Sequence, residues 1–362
     1  MALSKVQLSE ATGRRNLVIN GAMTVWQRAT AATQAVNTYS TADRWRMDGS
    51  TGTDGAFTTE RSTDNPFGTG YSMKAQVTTA DTSLGAGQYA RIYQYIEAQN
   101  LQHLLYGTSS AKTLTLSFWV KSSKTGTYSI LLRKVNSTPY HFIHNYTISS
   151  ANTWEKKVIT ITPTAGSTSF ITASAGSIVN SNATGLELAF NLAHGSQYGI
   201  GTSNTWSSNT NTYGLNGQVN WMDSTSNNLY LTEVQLEVGS ATDFEHRSYA
   251  EELAACRRYY IRLASNSTYD CYADGFLWTA TNSMVFINFP QQMRAEPTLG
   301  HNGSFTVRTS GSDAAVSGIV VNRAFNDTMQ MYVTHASKTE GKGCQLGNNN
   351  DADAYLEYIA EL

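Results

Sequence analysis

Residues 235–260, QLEVGSATDFEHRSYAEELAACRRYY, gather Glu237, Asp243, Glu245, His246, Glu251, Glu252 and Cys256 into one short stretch. Carboxylates, an imidazole and a thiol this close together are the groups from which metal sites and Cys–His nucleophile pairs are built. Their spacing argues for architecture instead. Ser248-Tyr249-Ala250-Glu251 fits the S-x-x-E capping box, in which Ser248 accepts from the Glu251 N–H and Glu251 reaches back to the Ser248 N–H. Glu251 and Glu252 stand in the first turn and Arg257 and Arg258 near the end, the order that a helix dipole favours. Tyr249, Leu253, Cys256 and Tyr260 fall on one face, which makes Cys256 a packing residue. One linking helix over 248–262 is expected, joining two parts of the chain, with Asp243, Glu245 and His246 in the linker before it. No G-x-S-x-G, H-E-x-x-H or P-loop occurs, so no catalytic residue, metal or cofactor is expected.

Two further groups hold recognition chemistry. Trp26-Gln27-Arg28 and Asp43-Arg44-Trp45 supply rings and charges that would suit a sugar subsite; equally, they would lock the first strand to the next, since a buried Asp needs a partner such as a neighbouring Arg. Residues 194–228 form a long stretch rich in Gly, Ser and Asn that carries Trp206, Tyr213 and Trp221. With Asn204, Asn209 and Gln197 as hydrogen-bonding partners, these rings are a candidate glycan platform; the alternative is that they pack on a neighbouring subunit or cap the fold.

The elements that must position these groups read as strands. Segments 113–122, 127–135, 141–148, 154–162, 186–193 and 228–238 alternate or run apolar, with turn clusters between several of them. In 113–122, Leu114, Leu116, Phe118 and Val120 face one way, and Thr115, Ser117, Trp119 and Lys121 the other. The run NLVIN at 16–20 reads as a short strand, 50–72 as a loop, and 96–107 as a helical turn. The expected fold is all-β: an anchoring arm over 1–15, a jelly-roll β-sandwich over 16–247, the linking helix over 248–262, and a small C-terminal β-sandwich over 263–362.

Bulk properties narrow the partners. The 362 residues carry a net charge of −2, with 14% charged residues against roughly 25% in typical globular chains. No basic surface for nucleic acid or anionic membrane is implied. Three cysteines without short spacing argue against a disulfide framework. The N-terminal residues lack an apolar stretch of the kind found in a signal peptide, and no run is long enough to span a membrane.

The segments NLVINGAMTVWQRAT, YSTADRWRM and LYLTEVQLEVGSATDFEHRSYAEELAACRRYY resemble a pattern of tailed-phage and prophage fibre and virion proteins. The resemblance covers the edges of the first domain and the joint. It implies a jelly roll similar to carbohydrate-binding modules, followed by a small β-domain, in a non-enzymatic virion appendage. Modules of that kind often open N-G-D-F-E and bind calcium; here Ala22, Met23 and Thr24 follow Asn20-Gly21, and the last strand carries Thr232 and Glu233. The expectation is a receptor-binding tail fibre, displayed on the particle as a homotrimer. Its arm would attach it to other virion proteins, and its loops would contact host surface polysaccharide. A capsid decoration or head fibre, and a polysaccharide depolymerase, are the alternatives.

Overall fold

A computed structural model describes residues 14–33, 38–49 and 55–362. The arm expected over 1–15 lies, except for Arg14 and Arg15, outside the described residues. The chain divides into two compact units, one running to Glu252 and including Leu362, the other Leu253–Glu361.

The first unit is a jelly-roll sandwich of two six-stranded antiparallel sheets. Sheet one orders β1 (Ala31–Thr33), β3 (Ala56–Ser62), β4 (Ser72–Thr79), β12 (Asn228–Val238), β6 (Leu114–Ser122) and β9 (Glu155–Ile161). Sheet two orders β11 (Thr205–Ser207), β8 (Tyr140–Ile148), β7 (Gly126–Lys134), β10 (Thr184–His194), β5 (Tyr89–Glu97) and β2 (Arg46–Gly49). Alternation dictates the core: Leu114, Leu116, Phe118 and Val120 of β6 meet Leu186, Leu188, Phe190 and Leu192 of β10, every one of them buried.

The outer face of sheet two is closed as well. Arg91 on β5 bonds Asp48 Oδ2 at 2.9 Å and Glu187 Oε1 at 2.6 Å, pairing charges that the strands bury. Tyr213 lies over the Arg91 guanidinium at 4.6 Å and stacks on Tyr198 at 4.4 Å. Residues 195–218 thus cover that face, and Tyr93, Leu131, Ile143, Ala189 and Leu215 make a small second core beneath them.

Three local expectations change. NLVIN is not a strand; Val18 is fully buried, and side chains satisfy the backbone there in place of a ladder, with Gln94 bonding both the N–H and the C=O of Ile19. The 50–72 stretch contains β3, whose inward positions include Thr59 as well as Phe57, so its apolar signal is weak. The helical turn near 96–107 is a 3-10 helix, Ala98–Leu104.

The division between the units falls within α1 (Tyr249–Arg257). Cys256 is fully buried, but Tyr249 is 60% exposed and Tyr260 begins a strand, so the four-residue helix face is only partly realised. In the second unit, β14 (Cys271–Thr279), β15 (Asn282–Asn288), β19 (Thr328–His335), β18 (Ser312–Ala324), β17 (Phe305–Thr309) and β20 (Gly343–Asn348) close into a barrel. Beside them, β13 (Tyr260–Ala264), β21 (Tyr355–Ile359) and β16 (Thr298–Asn302) form a three-stranded sheet. The small sandwich expected there therefore takes the form of a barrel plus a sheet; pairing of β14 with β20 leaves no edge open in the barrel.

Candidate functional site

The acids of 235–260, apart from the exposed Asp243, are spent on structure. The capping box is closed: the Ser248 N–H donates to Glu251 Oε2 at 3.0 Å, and the Glu251 N–H donates to Ser248 Oγ at 3.3 Å. The Ser248 hydroxyl also donates to Glu251 Oε2 at 2.9 Å, and this bond, with that from the Ser248 N–H, holds the Glu251 carboxyl below its ordinary value. Glu237 accepts from the Thr242 N–H and hydroxyl at 2.9 and 2.7 Å. Glu245 accepts from the Asn16 N–H at 2.7 Å, Glu252 from the Asn20 N–H at 2.6 Å, and Arg247 donates to the carbonyls of Asn16 and Val18. The segment thus fastens the entry of the chain onto its first unit. Cys256 is fully buried and the His246 side chain 75% exposed.

Trp26, Gln27, Arg28, Asp43, Arg44 and Trp45 also serve the fold. Asn20 organises them: its amide donates to the carbonyls of Val25 and Asp43, and its backbone carbonyl accepts from Trp45 Nε1 at 3.0 Å. Gln27 bonds Asp43 with both its N–H and its side chain. Trp26 Nε1 donates to Met23 O at 2.6 Å, and Arg28 and Arg44 lie over the Tyr39 ring. Trp45, Asp43 and Arg44 are buried, which leaves them no surface to offer a sugar.

The expected platform on 194–228 does not assemble. Trp206 is 1% exposed, bonds Thr162 O at 2.9 Å through Nε1 and packs on Phe142; Trp221 is fully buried against Phe57. Tyr213 is stacked on the covered face of sheet two. Asn204, Asn209 and Gln197 are exposed, while Tyr213 and Tyr198 are half-buried and stack on each other. Burying the two indoles in the core removes far more apolar surface from water than a loop tip would.

The open rings are elsewhere, on the outer face of sheet one. A groove of about 580 Å³ is lined by Phe67, Tyr71, Trp119, Glu233, Phe244 and His246, among others. Trp119 stands on the polar side of β6, opposite Thr232 of β12 and Lys156 of β9. Phe67, 52% exposed, meets Trp119 edge to face at 5.6 Å. Asn65 holds the Phe67 turn, accepting from the Phe67 N–H at 2.9 Å and donating to Tyr71 O at 3.2 Å. Thr232 Oγ1 also donates to Tyr71 O. Phe244 and His246 make a second edge-to-face pair at 5.1 Å.

Two residues along the same strands lies a second aromatic cluster, about 7 Å away by strand rise. Lys121 Nζ sits 4.3 Å from the Tyr230 ring and 5.3 Å from Trp154. Asp64 bonds Lys121 and accepts from Trp154 Nε1 at 3.0 Å. Burial pushes the Asp64 carboxyl up, but these bonds and the Lys121 charge hold it below its ordinary value.

Glu233 enters the groove from a β-bulge, at the register shift of β12 between Thr232 and Gln235. Its φ is +47°, a left-handed conformation that costs a non-glycine residue. Burial pushes its carboxyl above the ordinary value, with His246 and Lys156 pulling the other way. Among the described residues, no group of three or more His, Cys, Asp or Glu side chains is placed to hold a metal ion.

No protein family and no curated protein sequence matches the chain. Among solved structures, it is similar to a putative sugar-binding protein from Bacteroides thetaiotaomicron, at 14% identity and TM-score 0.37, over 62% of this chain and 100% of that one. A family 11 carbohydrate-binding module from Clostridium thermocellum matches at 13% identity and TM-score 0.30, over 60% and 99%. The enzymatically active domain of tailspike protein 4 from bacteriophage CBA120 matches at 14% identity and TM-score 0.28, over 62% of this chain but 21% of that one. These TM-scores are low, so the fold assignment rests on strand order and register.

Proposed function

We propose that this protein is a non-enzymatic, glycan-binding appendage of a tailed-phage particle and that the groove on sheet one is its carbohydrate site. The observation that carries the reading is the set of open rings, Trp119 and Phe67 above all, on an otherwise polar strand face, with Glu233, Lys156, Thr24 and Asn65 around them. A sugar has apolar C–H faces and a rim of hydroxyls, and such a groove offers rings for the first and polar groups for the second. The virion assignment is supported by the sequence resemblance, whose motifs the structure explains as the fastening of the chain entry around Asn20 and Arg247. A homotrimer exposed on the particle would multiply a weak sugar affinity into useful avidity.

Binding of the full chain to host cells and to purified host surface polysaccharide tests the reading. Retention that Trp119→Ala abolishes, without release of reducing ends, is the expected result; no retention at any concentration would sink it. Release of reducing ends would favour a depolymerase instead. Labelling the protein on intact particles separates a tail fibre from a capsid decoration.

A further inference from the structure

Glu233 has no structural employment that accounts for its position. Its side chain is only 11% exposed, yet its carboxylate accepts no hydrogen bond among the described residues; its nearest charged neighbour is His246 Nε2 at 3.9 Å. A carboxylate largely withdrawn from water and without protein donors is costly, and its oxygens, not fully buried, stay within reach of a ligand. The backbone adds to that cost through the φ of +47°. The surrounding structure enforces the conformation: Val234 N–H donates to Gly21 O at 3.0 Å, and Asn16 Nδ2 donates to Val234 O at 3.0 Å. Every other acid of the neighbouring segment, by contrast, is satisfied by a cap or a backbone N–H, apart from the exposed Asp243.

We propose that Glu233 sets the specificity of the groove, its carboxylate accepting two neighbouring hydroxyls of a neutral hexose unit whose C–H face lies on Trp119. This rests on the reading of the groove as a glycan site and adds the ligand class to it. The fixed charges around the groove are one cation, Lys156 from β9, against Glu233 and the exposed Asp243, and His246 adds a positive charge only when protonated. Such a groove gives no attraction to an acidic sugar chain, and the lone Lys156 leaves little room for a second cation beside it. What it lacks is donors for one largely buried carboxylate, and a pair of hydroxyls supplies them without bringing a charge. Site groups left unpaired by the wrong ligand are what make such recognition selective.

Titration calorimetry of the full chain against dextran, mixed-linked β-glucan, alginate and chitosan tests this, with the best neutral binder repeated after O-methylation. The wild type should prefer a neutral chain and lose at least tenfold in affinity when its hydroxyls are methylated. Glu233→Gln and Glu233→Asp should each lose at least tenfold on the unmodified chain, and Glu233→Gln should no longer tell it from the methylated one. A melting temperature of Glu233→Gln at or above that of the wild type certifies that the variant is folded. Wild-type affinity in Glu233→Gln, or a preference for alginate or chitosan, overturns the proposal while leaving a Trp119-dependent groove standing. Binding indifferent to Trp119→Ala overturns the groove and this proposal together.

Discussion

Gly21 lies so close to Val234 that a Cβ placed on it would stand 2.1 Å from the Val234 carbonyl oxygen. This contact joins the first loop of the chain to the bulge of β12, and the bulge aims Glu233. An added methyl group must therefore move backbone, since neither partner is a flexible side chain. Gly21→Ala should destabilise the first unit by about 2 kcal/mol, the scale of overpacking in a tight site. Urea midpoints would show this. The same variant should weaken glycan binding, because a shifted bulge redirects Glu233; unchanged midpoints and unchanged affinity would mean that the loop yields without disturbing the bulge.

Trp206 should prove structural and Trp119 a binding residue. Trp206 is 1% exposed among Phe142 and Tyr106, so Trp206→Ala leaves a large cavity and should cost about 3–5 kcal/mol. Trp119 is half-buried on an outer face, and Trp119→Ala should change stability far less while removing polysaccharide retention. Parallel denaturation and binding measurements on the two variants decide this. Loss of retention in a Trp206 variant that is still folded would argue that the loop, not the groove, meets the ligand.

Glu233 should destabilise the native state at neutral pH. Its carboxyl is raised above the ordinary 4.5 by burial, so the folded protein binds that proton more tightly than the unfolded chain does. A group raised in this way favours folding while it stays protonated, and the advantage is lost as pH climbs through its raised value. Glu233→Gln removes the charge and keeps the shape. It should melt higher than the wild type at pH 7, with the difference shrinking as pH falls through the raised value and gone below 4.5. Glycan affinity should move oppositely, falling in acid as Glu233 protonates and ceases to be a two-fold acceptor.

The sheets were legible because alternation is a direct consequence of having one face in the core. Residues 113–122 even place Trp119 on the polar side, and an aromatic ring in that phase is a signal of a surface site. The bulge was legible too, had the phase of β12 been followed: its inward residues are Leu229 and Leu231, then Val234 and Leu236, a slip of one position that marks an extra residue. What 194–228 conceals is where it goes. A stretch rich in Gly, Ser and Asn gives no periodicity, so nothing in it says that Trp206 returns through the three-residue strand β11 to pair beside Phe142. Nor does composition reveal that Tyr213 and Leu215 roof a sheet face carrying Arg91 and Glu187, because those charges are paired across strands far apart in sequence.

His141 makes that roof sensitive to acid. Its ring lies on β8 with Nδ1 at 2.9 Å from Thr212 O, tying residues 195–218 to sheet two, while Nε2 is buried without a partner. Burial depresses its pKa to about 4; the Thr212 carbonyl works against this, and the charges of Arg133 and Arg91 add to it. A histidine lowered in the fold resists a proton that the unfolded chain accepts at its ordinary 6.5. The stability that it contributes is therefore complete above that value and lost as pH falls from 6.5 toward about 4. Melting temperatures recorded across this window should decline, and His141→Gln, whose amide can still donate to Thr212 O, should flatten the decline. Amide exchange should show 195–218 opening first, since charging His141 beneath it leaves a cation next to two arginines. A decline that persists unchanged in His141→Gln would assign the acid sensitivity to other groups.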